Sequence, residues 1–146
     1  MNNIAILVLY YNKEKLTAQC LNSIIKNNFD TKDLFTYDNG SDIKCYNLIK
    51  NNFKEVTHFS NPTNYGYSGG FNRGVSAIFE RGYDGVLFLT NDTIIHEGSI
   101  EALRKCIAKH SPDMVAPSIR YFYDFDKIDS FGGYFDTKTL SLQHYH

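Results

Sequence analysis

A chain of 146 residues with 42% hydrophobic and 21% charged side chains is sized for one domain with a real core, which excludes disordered and fibrous classes. Fifteen basic residues against sixteen acidic ones leave a net charge of −1. No global field therefore favours nucleic acid or an anionic membrane, and an anionic ligand needs a local site. Cys20, Cys45 and Cys106, odd in number and without CxxC spacing, argue against a disulfide framework and a zinc site. Their apolar neighbours predict reduced core residues of a cytoplasmic protein.

Ile4 to Tyr11 is a continuous apolar run, as expected of a central parallel strand covered on both faces. It is too short to span a bilayer, and only Met-Asn-Asn precedes it, so neither a transmembrane segment nor a signal peptide is expected. Asn12 is placed to cap a helix from Lys13, with Leu16, Cys20, Leu21, Ile24 and Ile25 as its apolar stripe. Leu34 to Tyr37 predicts a second strand, stopped by the turn cluster Asp38-Asn39-Gly40-Ser41-Asp42. A helix with Tyr46, Ile49 and Phe53 on one face follows, then a third strand from Val56 to Phe59. A polar, glycine-rich stretch from Asn61 to Gly70 leads into a helix carrying Val75, Ile78 and Phe79.

Gly85 to Thr90 predicts a fourth strand, ended by Asn91-Asp92-Thr93. Ile100, Leu103 and Ile107 mark another helix, Met114 to Ile119 a fifth strand, and Phe131 to Phe135 a short hairpin. Without repeats or linkers, residues 1–146 read as a single α/β domain with a mostly parallel sheet. If the first three strands run outward in order 3-2-1, the fourth must start on the other side of strand 1. That reversal is a switch point, where ligands bind beyond the carboxyl ends of strands.

Three clusters fall there. Asp38 at a strand tip either accepts hydrogen bonds from a base or ribose, or is a turn residue capping the next helix. Asn64 to Gly74 holds four glycines (Gly66, Gly69, Gly70 and Gly74) with Asn64 and Asn72 among them, ahead of a helix N-terminus. Backbone there either approaches a ligand closely or forms a flexible loop with helix-packing glycines. The segment is neither a Walker A loop nor G-x-G-x-x-G. Asp92 either gives Mg²⁺ or Mn²⁺ one coordination position, shared with substrate phosphates, or serves as a cap. Tyr10, Tyr11 and Tyr65 are available to stack on a base.

In this order, the clusters resemble the family-2 glycosyltransferases, especially bacterial rhamnosyltransferase-like members. Leu7 to Asn12 looks like their first strand end, and Tyr37 to Asp42 like their nucleotide-contacting turn. Asn61 to Gly74 resembles their N-x-G-x-x-G-G-x-N-x-G segment, and Leu87 to Thr93 their D-x-D or N-x-D element. The resemblance implies a GT-A, Rossmann-like α/β fold and a donor site for a UDP- or dTDP-linked sugar. Tyr10, Tyr11, Asp38, Asn64, Gly66, Gly69, Gly70, Asn72 and Asn91 would line the nucleotide and sugar, and Asp92 would bind Mg²⁺ or Mn²⁺. It further implies inverting transfer to a glycan or lipid-linked acceptor in surface glycan synthesis, in the cytoplasm at the inner membrane face. Thr90 replaces the first carboxylate of D-x-D. The general base of the family belongs to the acceptor-binding half, so it is expected beyond residue 146, and neither Asp129 nor Asp136 is assigned that role. A nucleotidyltransferase-like module and a catalytically inert nucleotide-sugar-binding or interaction domain are the competing readings, with a flavodoxin-like redox domain behind them.

Overall fold

The apolar residues Ile4–Tyr10 form strand β1, and the computed structural model, which describes residues 3–144 and the backbone alone at 135 and 142–144, sets it inside a four-stranded sheet. The order is β3-β2-β1-β4, all parallel, with β2 at Leu34–Asp38, β3 at Thr57–Ser60 and β4 at Gly85–Thr90. Side chains alternate across the sheet. Ile6, Val8 and Tyr10 enter one core with Cys20, Leu21 and Ile24 of α1 (Glu14–Lys26) and Cys45 and Ile49 of α2 (Ile43–Asn52). Ala5, Leu7 and Leu9 enter a second core with Phe71 and Ile78 of α3 (Gly66–Phe79). Handedness accounts for the layers. Two right-handed crossovers stepping from β1 towards β3 put α1 and α2 on one face, and the step back past β1 to β4 puts α3 on the other. The expected α/β architecture, mostly parallel and reversing at β1, is the one observed.

Three local expectations are corrected. Asn12 does not cap α1. It and Lys13 are left-handed, at φ 53° and 60°, and α1 starts without a side-chain cap. Asn12 instead accepts from the Asp42 N–H through Oδ1 at 3.0 Å, and its own N–H donates to Ser41 Oγ at 2.7 Å. The glycine-rich stretch is not a loop up to Gly70, because α3 begins at Gly66 and takes in Gly69, Gly70 and Gly74. The reason is contact: a Cβ at Gly70 would lie 2.6 Å from Leu9 Cδ1, and one at Gly74 2.7 Å from Leu7 Cδ2. Glycine costs about 1 kcal/mol in a helix relative to alanine, which close seating on β1 offsets.

The third correction concerns residues 114–118, which form no strand. Pro117 removes a ladder donor and Met114 is 91% exposed. The chain divides into two compact units, the first ending at Ile100 and the second starting at Glu101, within α4 (Ser99–His110). In the second unit β5 (Ile119–Tyr121) pairs antiparallel with β6 (Asp124–Ser130) through Phe122-Tyr123. The expected hairpin lies slightly downstream, between β7 (Gly133–Asp136) and β8 (Ser141–His144). Cys20 and Cys45 are buried, Cys106 is half-buried, and all are free thiols. Among the described residues no helix is long and apolar enough to cross a membrane.

Gly74→Val tests the helix seating. Overpacking against Leu7 should cost about 1–3 kcal/mol, read as a lower urea midpoint at unchanged slope. An unchanged midpoint would mean that α3 does not ride on Leu7.

Candidate nucleotide site at the strand ends

Because β1, β2 and β4 run in one direction, their carboxyl ends open at a single edge. Backbone bonds lace these ends together: the Asn39 N–H donates to Tyr10 O at 2.8 Å and the Asn91 N–H to Leu9 O at 3.2 Å. A crevice of about 250 Å³ lies there, lined by Leu9, Tyr10, Tyr11, Asn39, Asn64, Gly66, Tyr67, Thr90 and Asn91. Five expected residues, Tyr10, Tyr11, Asn64, Gly66 and Asn91, therefore meet at one place. The Tyr10 side chain is only 2% exposed and belongs to the core, whereas the Tyr11 ring is 50% exposed. Burial, with the Asp38 carboxylate nearby, raises the Tyr10 phenol far above its ordinary pKa.

Asp38, at the end of β2, is not among the residues lining the crevice. It is 3% exposed, and its Oδ1 accepts from the Ser41 N–H at 3.0 Å, fixing the turn after β2. Burial pushes its carboxyl pKa up; the Ser41 hydrogen bonds partly offset this, and Asp42 adds to it. Gly40 at φ 86° lets this turn press on the next loop, since a Cβ would lie 2.6 Å from the Thr63 carbonyl carbon. Asn39, buried between them, lines the crevice but is not among the expected site residues. In sequence it is one more turn former, and its position between Asp38 and Gly40 was the only signal.

The start of α3 forms one wall. Asn64 Oδ1 accepts from the Gly66 N–H at 2.8 Å, and the N–H groups at a helix start carry partial positive charge. Tyr67 meets Phe71 edge-on at 4.7 Å, which orients its ring. Gly69 and Gly70 approach the protein itself rather than the crevice: their nearest neighbours are Tyr65, and Leu9 with Asn39. Asn72 lines a second groove instead, with Tyr37, Arg73 and Ser76. Arg73 lies over the Tyr65 ring at 4.1 Å.

Asp92 is exposed just beyond β4, and Thr90 Oγ1 donates to its Oδ1 at 2.6 Å. Asn91 Nδ2 donates to Thr17 Oγ1 at 3.0 Å, tying this tip to α1. Among the described residues no group of three or more His, Cys, Asp or Glu could cage a metal ion. One carboxylate beside the hydroxyls of Thr90 and Thr93 is a set of hard oxygen donors. It fits Mg²⁺ or Mn²⁺ taking its other ligands from phosphate and water, and does not fit a protein-only site.

Residues 5–138 match the profile of the family described as glycosyl transferase family 2. The chain belongs to that family. Solved structures of S. aureus TarS share the fold. TarS 1-349 superposes with a TM-score of 0.57 at 20% identity, over 80% of this chain and 39% of that one. Its complex with UDP gives 0.57 at 18% identity, over 84% and 43%. The complex with UDP-GlcNAc gives 0.59 at 18%, over 84% and 41%. The chain thus spans about two fifths of the length of these relatives. No curated protein sequence matches it.

Asp38→Asn separates fold from site. A carboxyl raised above 3.8 binds its proton more tightly in the folded chain, so wild-type stability falls as pH rises from about 4 through the folded pKa. Asparagine keeps the acceptor for Ser41 without the charge. Thermal melts should show the variant matching the wild type near pH 3 and exceeding it at pH 7. A difference independent of pH would mean that burial does not strain this carboxylate.

Proposed function

We propose that this chain is the donor-binding portion of an inverting glycosyltransferase, holding a UDP- or dTDP-linked sugar at the carboxyl ends of β1, β2 and β4. The observation that carries the proposal is the convergence of Tyr11, Asn64, Asn91 and the start of α3 on one crevice in a family-2 chain. The likeness to TarS solved with UDP and with UDP-GlcNAc supports the uridine diphosphate sugar of the two.

In this reading the Tyr11 ring stacks on the base, and Asp38 at the tip of β2 accepts from a base or ribose donor. The first-turn N–H groups of α3 and the amides of Asn64 and Asn91 hold diphosphate and sugar oxygens. Asp92 is the residue that would hold Mg²⁺ or Mn²⁺, which when bound neutralises charge on the departing diphosphate. An acceptor hydroxyl then attacks the anomeric carbon from the face opposite the diphosphate as a carboxylate removes its proton. The setting we propose is surface glycan synthesis on a glycan or lipid-linked acceptor, in the cytoplasm at the inner membrane face.

Calorimetric titration with UDP, dTDP and GDP, with and without Mn²⁺, tests the reading. One nucleotide should bind in a Mn²⁺-dependent way, and Asp92→Ala should remove the Mn²⁺ dependence, at least a tenfold loss of affinity. Binding by the variant equal to wild type would take Asp92 out of the site. Absence of binding by any nucleotide would favour an inert domain.

A further inference from the structure

We infer that Asn39 is a positioning residue of the donor site, holding Asn64, Tyr65 and Gly66 so that the Asn64 amide presents its NH₂ group to the ligand. The inference rests on the donor-site reading above and names a residue which that reading does not use. Asn39 is 3% exposed, and its side chain binds three consecutive residues at the entry to α3, Asn64 and Tyr65 before it and Gly66 at its start. Nδ2 donates to Asn64 Oδ1 and to Gly66 O, both at 2.9 Å, and Oδ1 accepts from the Tyr65 N–H at 3.1 Å. Its main-chain N–H holds Tyr10 O at the end of β1. One residue therefore joins the tips of β1 and β2 to the start of α3.

The orientation of both amides is forced. A carbonyl only accepts and a backbone N–H only donates, so Gly66 O and Tyr65 N–H dictate which end of Asn39 carries nitrogen. Asn64 must then turn its oxygen inward, where it accepts from Asn39 and from the Gly66 N–H at 2.8 Å. What remains for the crevice is the Asn64 NH₂. A diphosphate and sugar hydroxyls present mainly acceptors, so this is the useful end. Substitutes for Asn39 fail for stated reasons. Aspartate would set an oxygen against two acceptor oxygens. Glutamine is a methylene longer, and even a Cβ at Gly70 would already lie 3.1 Å from Nδ2.

The test measures UDP affinity in the presence of Mn²⁺, beside thermal melting, for wild type, Asn39→Asp, Asn64→Asp and Asn27→Ala. Asn27 is a comparable hub outside the crevice, bonded to Ser23 O, Ile95 O and the Gly98 N–H. Asn39→Asp and Asn64→Asp should each weaken UDP at least tenfold, while Asn27→Ala loses melting temperature but stays within twofold in affinity. If Asn39→Asp does not fold, Asn64→Asp decides, because it keeps the inward acceptor and sets an anionic oxygen where the NH₂ was presented. Wild-type binding with both aspartate variants within twofold overturns the inference and leaves the donor-site reading standing. Affinity losses that track melting temperature across all three variants, Asn27→Ala included, also overturn it. Failure of the wild type to bind UDP overturns the donor-site reading itself.

Discussion

Strand β1 has neither an open face nor an open edge. Its flanks are taken by β2 and β4, and residues Ala5 to Tyr10 are at most 7% exposed. A strand so enclosed cannot carry polar chemistry along its length, so polar groups gather where it ends. There the carbonyls of Leu9 and Tyr10 still need partners, since an unpaired buried backbone group costs as much as a lost hydrogen bond. Asn91 and Asn39 supply them with their N–H groups, which draws the loops after β4 and β2 around the tip of β1. The crevice follows from satisfying β1.

On the other wall, α3 gives up helix propensity for proximity. Gly70 and Gly74, inside a 14-residue helix, cost about 1 kcal/mol each against alanine. The return is a helix whose axis lies close enough to β1 that Leu7 and Leu9 fill the space side chains would occupy. Phe71 adds a ring contact to Phe88 at 5.3 Å. Seated this way, the N-terminal turn of α3 stands level with the strand tips. The glycines that look in sequence like a ligand cradle thus face the protein itself and set how closely α3 lies on β1.

Strand order and the gathering of polar tips were legible because they follow from pattern and handedness alone. An apolar run the length of Ile4 to Tyr10 has to be central, and right-handed crossovers leave the fourth strand one place to go. Contacts distant in sequence were not legible. Asn12 looks like a helix cap because Lys13 and Glu14 follow it, yet its partners, Ser41 and Asp42, lie about thirty residues on. Gly66 to Gly70 looks like a loop because glycine is a poor helix former, and only the neighbouring Leu9 explains the helix. Val115 and Ile119 suggested a strand, but Pro117 leaves a gap in any ladder there. Asn39 was hidden differently, since nothing in a turn sequence distinguishes an asparagine that merely turns from one that organises the next loop.

The charge at the crevice bears on the proposed ion. Among the described residues its lining is tyrosines, asparagines, a threonine, a glycine and a leucine, with no lysine or arginine. Arg73, the cation next along α3, lies over Tyr65 and beside the other groove. A nucleoside diphosphate brings two or more negative charges, whereas a helix N-terminus supplies roughly half a positive one. Neutral amides recognise shape and acceptor pattern but leave most of that charge unmet, and the leaving diphosphate gains more as the bond to the sugar breaks. In the function proposed above this imbalance would fall to Asp92, an exposed carboxylate beside two hydroxyls, which would anchor a divalent cation rather than contact phosphates that it would otherwise repel.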